Sequence, residues 1–233
     1  MFKQFFDTES STYTYFILDE ATNETLLIDP VASQIEVYLA ILKATNAQLK
    51  YTLETHVHAD HITASGQLRE KLAAQTGVSA LCGAASADLQ LKHNDILMLD
   101  KQHINVIATP GHTLGSVSYL WHDRIFTGDA LLINGCGRTD FQGGDAGTLF
   151  DSITNLIFSL SDETLFYPGH DYHGKRVSCV GQEKAINPRL ANQTRDDFIA
   201  MMAALNLPKP KLIDIAVPLN RRCGITEDTI QQG

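Results

Sequence analysis

Residues 55–66 read THVHADHITASG. This stretch places His56, His58, Asp60 and His61 next to one another. The stretch follows residues 49–56 (LKYTLETH), which have the pattern of a strand, and it precedes residues 62–77, which have helical spacing. Imidazole and carboxylate groups are ligands that first-row divalent metals recruit. The stretch therefore predicts a metal site in the loop between a strand and a helix.

Further metal-capable residues follow other apolar segments in the same way. His112 follows residues 103–110, Asp129 follows residues 124–128, and His170 follows residues 164–169. Strand ends of one sheet layer can meet at one edge, where loops carry function, so we predict that these residues join the motif in a metal site. The number of these candidate ligands is enough for one metal ion or for two. Two ions would be held by His56, His58 and His112 and by Asp60, His61 and His170, with Asp129 between them.

Segments with strand and helix patterns alternate along the chain without a repeat or a linker. Strands are predicted at residues 11–19, 24–30, 49–56, 79–83, 95–100, 103–110, 116–122, 124–131 and 164–170, and helices at residues 31–46, 62–77, 147–161 and 194–206. Residues 207–224 are predicted to be extended. This mixture indicates an α/β protein with two packed sheets and helices outside, an αββα sandwich, in one domain over residues 1–233.

Composition excludes several classes of protein. A net charge of −9 argues against nucleic acid or an anionic membrane surface as partner. No apolar run approaches the roughly 20 residues of a membrane span, and the start lacks the pattern of a secretory signal. The four cysteines form no Cys-x-x-Cys pair, which excludes a zinc ribbon and favours reduced thiols. We expect a cytoplasmic protein, or one of the mitochondrial matrix if a eukaryotic transit peptide has been removed.

The motifs THVHADH, GHTLGS, TGD and PGH together resemble the metallo-β-lactamase superfamily. LLINGCGRTDFQGGDAGTLFDSI, YPGHDYHG and IDIAVPLNRRCG are similar to its persulfide dioxygenase branch, the ETHE-type sulfur dioxygenases. The resemblance implies a sandwich of the metallo-β-lactamase type. It also implies that a homodimer oxidises glutathione persulfide with O2 and water to sulfite and glutathione.

The same resemblance implies one ferrous ion, held by the residues that match His56, His112 and Asp129. Two histidines and one carboxylate form the face used by non-haem iron oxygenases, and they leave coordination positions open for substrates. The remaining polar residues would orient the ligands or hydrogen-bond bound water or oxygen; they are His58, Asp60, His61 and His170. Two zinc ions are the alternative.

Basic residues that follow Asp129 suit a substrate with carboxylates, as glutathione has. The candidate anchors are Arg138, Tyr172, Lys175 and Arg222. Arginine suits this role because its planar fork can bind both oxygens of a carboxylate. An ion pair of Arg138 with Asp140 or Asp171 is the structural alternative. We expect Asp171 to orient the loop around His170.

A glutathione thioester hydrolase of the glyoxalase II type, with two metal ions that activate water, is the second hypothesis. Ser116 argues against it, because those hydrolases commonly carry a histidine there, and the segment after His170 is short for their additional helical domain. A noncatalytic metal-binding protein on the same scaffold is a third hypothesis, and turnover with intact metal would distinguish it.

Overall fold

The structure is a computed structural model that describes residues 1–225. These residues divide into two compact units. The first unit contains residues 1–91, 98–102 and the segment from residue 209 onward, and the second contains residues 92–97 and 103–208. The single domain over residues 1–233 stays a prediction, and its last eight residues, 226–233, lie outside the described part. Every helix within residues 1–225 is too short or too polar to cross a membrane.

Twelve strands and six α-helices make up the described chain. The strands are β1 (Phe2–Asp7), β2 (Thr12–Leu18), β3 (Glu24–Ile28), β4 (Gln48–Leu53), β5 (Gln75–Ser79), β6 (Leu89–Leu91), β7 (Ile96–Leu99), β8 (Gln102–Ala108), β9 (Val117–Trp121), β10 (Arg124–Gly128), β11 (Leu165–Pro168) and β12 (Ser178–Cys179). The helices are α1 (Ile35–Thr45), α2 (Ser65–Leu72), α3 (Ala146–Ser152), α4 (Val180–Ile186), α5 (Arg195–Ala203) and α6 (Ile213–Asn220).

The first unit contains a six-stranded sheet in the order β1-β2-β3-β4-β5-β6. β1, β2 and β3 are antiparallel, whereas β3 to β6 are parallel. Every residue of β2 is buried, including Thr12 and Thr14. Phe16 and Leu27 of the sheet pack with Tyr38 and Leu42 of α1 and Leu68 of α2. This core fixes the strand end from which residues 55–66 emerge.

The second unit supplies most of a second sheet, in the order β12-β11-β10-β9-β8-β7. β8, β9 and β10 form an antiparallel meander, and β10 pairs in parallel with β11. The register of that pair shifts between Phe126 and Gly128. Such irregularities re-aim the residues that follow, and the residue that follows here is Asp129. Ile153, Phe166 and Phe198 are among the fully buried core residues of this unit.

One predicted helix is too long. Residues 62–77 do not form a single helix, because α2 ends at Leu72 and Ala73 adopts a left-handed conformation with φ 55°. The chain then enters β5, which pairs with β4 and β6. The apolar residues that gave the helical pattern are therefore divided between a helix and a buried strand. Residues 80–83, predicted to be part of a strand, follow β5 instead.

The prediction of an extended tail is also wrong. Residues 213–220 form α6, although Pro218 lies inside it. Buried Ile213 and Ala216 anchor one face of this helix, and this packing outweighs the loss of one helical N–H at proline. The patterns also failed to predict β1, β6, β12 and α4. The predicted helix at residues 147–161 is α3 followed by a π-helical turn over Ile153–Ile157.

Candidate metal centre

Residues 54–63, called the motif loop below, follow β4 and contain no helix or strand, apart from an isolated bridge at Thr63. Its three histidines are buried. The ring centroid of His58 lies 4.1 Å from that of His56 and 4.3 Å from that of His61. The first unit therefore brings the three histidines of the motif together.

Hydrogen bonds set the tautomer of His56. The hydroxyl of Thr55 donates to Oδ2 of Asp29 at 2.8 Å and lies 2.9 Å from Nδ1 of His56. A hydroxyl has one hydrogen, so it accepts from His56, and Nδ1 carries the proton. The remaining nitrogen, Nε2, then has the lone pair that a metal requires. The backbone N–H of Thr55 also donates to Asp29, at 2.7 Å, which fixes the start of the motif loop.

His58 has a different environment. Its Nε2 lies 3.1 Å from Oδ1 of Asp29 and 3.4 Å from Oε2 of Glu54, and all three side chains are buried. Burial lowers the pKa of His58, but the two carboxylates outweigh it and hold the pKa above its ordinary value. The two carboxylates occupy Nε2 of His58, so binding of a metal by this nitrogen would require it to give up these contacts.

Asp60 and His61 form a third group on the motif loop. Nδ1 of His61 lies 2.9 Å from Oδ2 of Asp60, and the hydroxyl of Thr12 donates to the same carboxylate at 3.2 Å. Ligand atoms of His58, Asp60 and His61 all lie within 4.8 Å of one another. By distance this group could hold a metal ion, but it differs from the two-ion alternative of the sequence analysis, which combined Asp60 and His61 with His170 and placed His58 in the other site.

His112 lies in the second unit, directly after Gly111. A Cβ at Gly111 would lie 2.3 Å from the backbone of Leu149, and the φ of +130° is one that side chains rarely adopt, so only glycine fits there. Nδ1 of His112 lies 2.6 Å from the carbonyl oxygen of Arg138. A carbonyl only accepts, so Nδ1 carries the proton and Nε2 has the lone pair. His112 is thus held in the same tautomer as His56.

Asp129 lies between two histidines of the second unit. Its Oδ1 is 2.6 Å from Nδ1 of His170, and its Oδ2 is 3.7 Å from Nε2 of His112. The second distance is too long for a hydrogen bond. Two atoms bound to one ion at about 2.1 Å lie roughly 3.0 Å apart at a right angle and about 4.2 Å apart when opposite. The separation of His112 and Asp129 therefore suits two ligands of one metal ion, while His170 orients the carboxylate.

Residues 129–138, called the carboxylate loop below, are held by side chains from α4 and the residues after it. Oε2 of Glu183 accepts from the backbone N–H of Asn134 at 2.9 Å. Nδ2 of Asn187 donates to the carbonyl of Gly135 at 3.1 Å and to Glu183 at 2.8 Å. Arg189 donates to the carbonyl of Cys136 at 3.2 Å. Sequence reasoning missed these three supports, because nothing in the local pattern around residues 183–189 points to a loop some 50 positions earlier.

The guanidinium of Arg138, a predicted substrate anchor, already donates hydrogen bonds to other groups of the protein. Its Nε and Nη2 donate to the two carboxylate oxygens of Asp140 at 2.7 and 2.8 Å. Nη1 donates to the carbonyl of Pro208 at 2.7 Å, and Nη2 donates to that of Leu207 at 3.3 Å. The hydrogen bonds raise the pKa of Arg138 and lower that of Asp140. The structural alternative, an ion pair with Asp140, is therefore present, and a substrate contact stays a prediction.

The other predicted anchors lie on the surface. Tyr172 is 68% exposed, and its ring stacks on that of His170 with centroids 6.2 Å apart. Lys175 is exposed on the same loop, where its backbone N–H donates to Asp171 at 2.7 Å. Asp171 thus orients this loop, as predicted. Arg222 is exposed and belongs to the first unit, as does His56, whereas His112 and Asp129 belong to the second.

The known proteins that this chain is similar to belong to the families that its motifs resemble. The model of the metallo-beta-lactamase superfamily matches residues 7–94 and 88–170. "Persulfide dioxygenase ETHE1, mitochondrial" of Mus musculus is 45% identical over 227 residues, which cover 97% of this chain and 89% of that protein. The crystal structure of ETHE1 from Myxococcus xanthus is 53% identical, with a TM-score of 0.95 over 97% of this chain and 100% of that one.

A hydrolase is a more distant relative. "Hydroxyacylglutathione hydrolase GloC" of Haemophilus influenzae is 30% identical over 201 residues, which cover 76% of this chain and 92% of that protein. The likenesses together confirm the predicted α/β class and the metallo-β-lactamase fold. Combined with the histidine and aspartate groups of each unit, they establish a metal-binding protein.

Proposed function

Because the chain belongs to the metallo-β-lactamase superfamily and, within it, to the persulfide dioxygenase family, we propose that it oxidises glutathione persulfide at a single ferrous ion. The family predicted from the motifs is confirmed, and the chain is an enzyme of that family. The observation that carries the proposal is the identity to persulfide dioxygenases, which extends over nearly the full length of both chains.

The proposed ligands are His56, His112 and Asp129. The chemistry of this donor set supports the assignment, because hydrogen bonds direct the proton of both imidazoles to Nδ1 and leave Nε2 for a metal. Two imidazoles and one carboxylate are a donor set that would suit ferrous iron. When bound, the iron supplies the electrons for dioxygen activation that zinc, without redox chemistry, does not. The carbonyl of Arg138 and the hydroxyl of Thr55 then keep the two rings in position.

In this proposal the residues around the ligands orient them and do not bind metal themselves. His170 holds one oxygen of Asp129 and thereby aims the other. Asp29 and Glu54 hold His58 by its Nε2, and Asp60 holds His61. A hydrogen-bond partner of a ligand fixes the ligand's direction, which is the role proposed for His170. No nucleophilic side chain is required, since the outer sulfur of the persulfide is the atom oxidised.

The proposed reaction converts glutathione persulfide, O2 and water into glutathione and sulfite. Both atoms of O2 and the oxygen of water end on the outer sulfur, and the sulfur–sulfur bond breaks with return of a thiol. The exposed Tyr172 and Lys175 are the best-placed anchors of the glutathione part, because both are on the loop that follows His170. Arg138 and Arg222 are proposed as further anchors for its carboxylates.

The second candidate is hydrolysis of a glutathione thioester at two metal ions. The grouping of His58, Asp60 and His61 favours it, as does the likeness to a hydroxyacylglutathione hydrolase. The lower identity of that relative and the two carboxylates on His58 argue against it. We also propose a homodimer, to be tested by light scattering. The expected compartment, cytoplasm or mitochondrial matrix, stays a prediction.

Activity measurements separate the two candidates. The iron-loaded protein is supplied with glutathione persulfide, and oxygen uptake and sulfite are followed together. We expect one sulfite per O2 consumed and no cleavage of a glutathione thioester. Thioester cleavage by the zinc-loaded protein, without oxygen uptake by the iron-loaded protein, would instead identify the hydrolase.

A further inference from the structure

The motif loop is buried but has almost none of the regular backbone pairing of a helix or a strand. Buried backbone N–H and C=O groups need hydrogen-bond partners, so side chains from elsewhere must supply them. Asp29 does this at the start of the loop, where it accepts from the N–H of Thr55. The second half of the loop requires another partner.

Asn220 is that partner. It is the last residue of α6, and it is 6% exposed. Its Nδ2 donates to the carbonyl of His58 at 2.9 Å and to that of His61 at 2.8 Å. Its Oδ1 accepts from the backbone N–H of Thr63 at 3.0 Å. One side-chain amide thus satisfies three backbone groups of the motif loop.

The backbone that follows Asn220 also lies in close contact with the end of the motif loop and the start of α2. The N–H of Gly66 donates to the carbonyl of Cys223 at 2.8 Å. A Cβ at Gly224 would lie 2.2 Å from the carbonyl oxygen of Thr63, and one at Gly66 would lie 2.6 Å from that of Cys223. These contacts, independent of Asn220, show that the end of α6 is seated on the motif loop.

We propose that Asn220 is a positioning residue of the metal site, which fixes the motif loop and thereby the direction of Nε2 of His56. An amide is the group that suits this position, since it offers two N–H donors and one acceptor to two carbonyls and one N–H. Aspartate keeps the acceptor but would place a carboxylate against two carbonyls. Alanine removes all three bonds. The inference rests on the proposed function only in taking His56 as a ligand.

The test uses the full chain and Co²⁺ as the probe, so it does not depend on dioxygenase activity. Parent, Asn220→Ala and Asn220→Asp are compared for Co²⁺ affinity, visible spectrum, melting temperature and amide exchange at Thr63. Thr25→Val is the matched control. Thr25 is fully buried and donates to the carbonyl of Ile17 at 2.6 Å, so its loss destabilises the first sheet without contact with the motif loop.

We expect both Asn220 variants to lose Co²⁺ affinity by about 10- to 100-fold, as is usual for the partners of metal ligands, with a changed spectrum. Exchange at Thr63 accelerates in Asn220→Ala and stays slow in Asn220→Asp, whose carboxylate still accepts. Thr25→Val melts earlier but keeps the parent affinity. If Asn220→Ala does not fold, Asn220→Asp, which leaves no cavity, decides the matter by the same affinity criterion.

Two results would overturn the inference. One is Co²⁺ affinity within about twofold of the parent in the Asn220 variants. The other is a loss of affinity that tracks melting temperature equally in Thr25→Val and the Asn220 variants. A parent that binds Co²⁺ through His56 but never forms sulfite would refute the proposed function alone and leave this inference standing.

Discussion

The motif loop of the first unit carries the proposed ligand His56, the carboxylate loop of the second unit carries Asp129, and both are irregular segments held by a buried asparagine. Asn220 reaches the motif loop from up to 162 positions away, and Asn187 reaches the carboxylate loop from 52 positions away at Gly135. The supports differ in number. Glu183 and Arg189 assist Asn187, whereas one side chain, that of Asn220, bonds three backbone groups of the motif loop, the carbonyls of His58 and His61 and the N–H of Thr63. The chemistry of the ligands is therefore local, while their placement depends on distant polar side chains.

The largest expected difference between the loops concerns their carboxylates. Asp129→Ala should abolish iron retention and sulfite formation, because it removes a proposed ligand. Asp60→Ala should keep iron, because Asp60 bonds His61 and Thr12 and is not a proposed ligand. Iron per chain after anaerobic purification measures both. Retention of a full complement of iron by Asp129→Ala, or its loss from Asp60→Ala, would reverse the roles assigned to the two loops.

Two glycines of the carboxylate loop, Gly137 and Gly135, differ in the space available for a side chain. A Cβ at Gly137 would lie 2.4 Å from the carbonyl oxygen of Asp129 and 2.7 Å from Nδ1 of His112. We expect Gly137→Ala to lower the free energy of unfolding by about 1–3 kcal/mol and to weaken metal binding, since the ligand must shift. Gly135→Ala is the control, because a Cβ there meets nothing within 4 Å. Urea unfolding and metal titration of both variants test this, and equal behaviour would contradict it.

Asn187→Ala tests whether a loop that several side chains hold keeps its metal affinity when one of them is removed. Asn187→Ala leaves the buried carboxylate of Glu183 and the carbonyl of Gly135 without this partner, which costs about 1–3 kcal/mol of unfolding free energy. Metal affinity should fall less than in Asn220→Ala, because Glu183 and Arg189 still hold the carboxylate loop. A larger loss of affinity in Asn187→Ala than in Asn220→Ala would show that the number of supports is irrelevant.

The loop after His170 should affect substrate binding but not the metal. Tyr172→Ala removes an exposed ring, so we expect a severalfold higher KM for glutathione persulfide with unchanged iron content and melting temperature. Val177→Ala, a 45% exposed residue near the end of the same loop, is the matched control. An unchanged KM in Tyr172→Ala would remove this residue from the proposed anchors.

The smallest expected effect concerns the reactivity of the thiol of Cys136, which lies on the carboxylate loop. Burial raises the pKa of Cys136 to about 11 and that of Cys82 to about 12, and burial also raises the pKa of Cys223. Because the thiolate is the reactive form, these thiols should resist iodoacetamide at pH 8 in the folded chain, and partly exposed Cys179 should react first. Mass spectrometry of the labelled peptides measures this. Labelling of Cys136 as fast as Cys179 would contradict it.

The sequence predicts candidate metal ligands on both loops, because imidazole and carboxylate groups after apolar strands are recognisable one segment at a time, and their role as ligands stays a prediction. The sequence does not predict Asn220, Glu183 or Asn187, whose roles arise from contacts between distant parts of the chain. The prolines around α6 indicate an extended segment, but tertiary packing outweighs this local preference and a helix forms. The alanines after α2 indicate a longer helix, but strand pairing outweighs that preference and β5 forms. The buried carboxylates around His58 also appear only in the structure.

The number of bound iron ions per chain distinguishes a single redox-active ion from a pair of ions. The metal-free protein is titrated with Fe²⁺ under argon, and bound iron is quantified at each step. We predict saturation at one iron per chain, with persulfide-dependent oxygen uptake rising to its maximum at the same point. Saturation at two ions per chain, with no oxygen uptake at any loading, would contradict a single redox-active ion held by His56, His112 and Asp129.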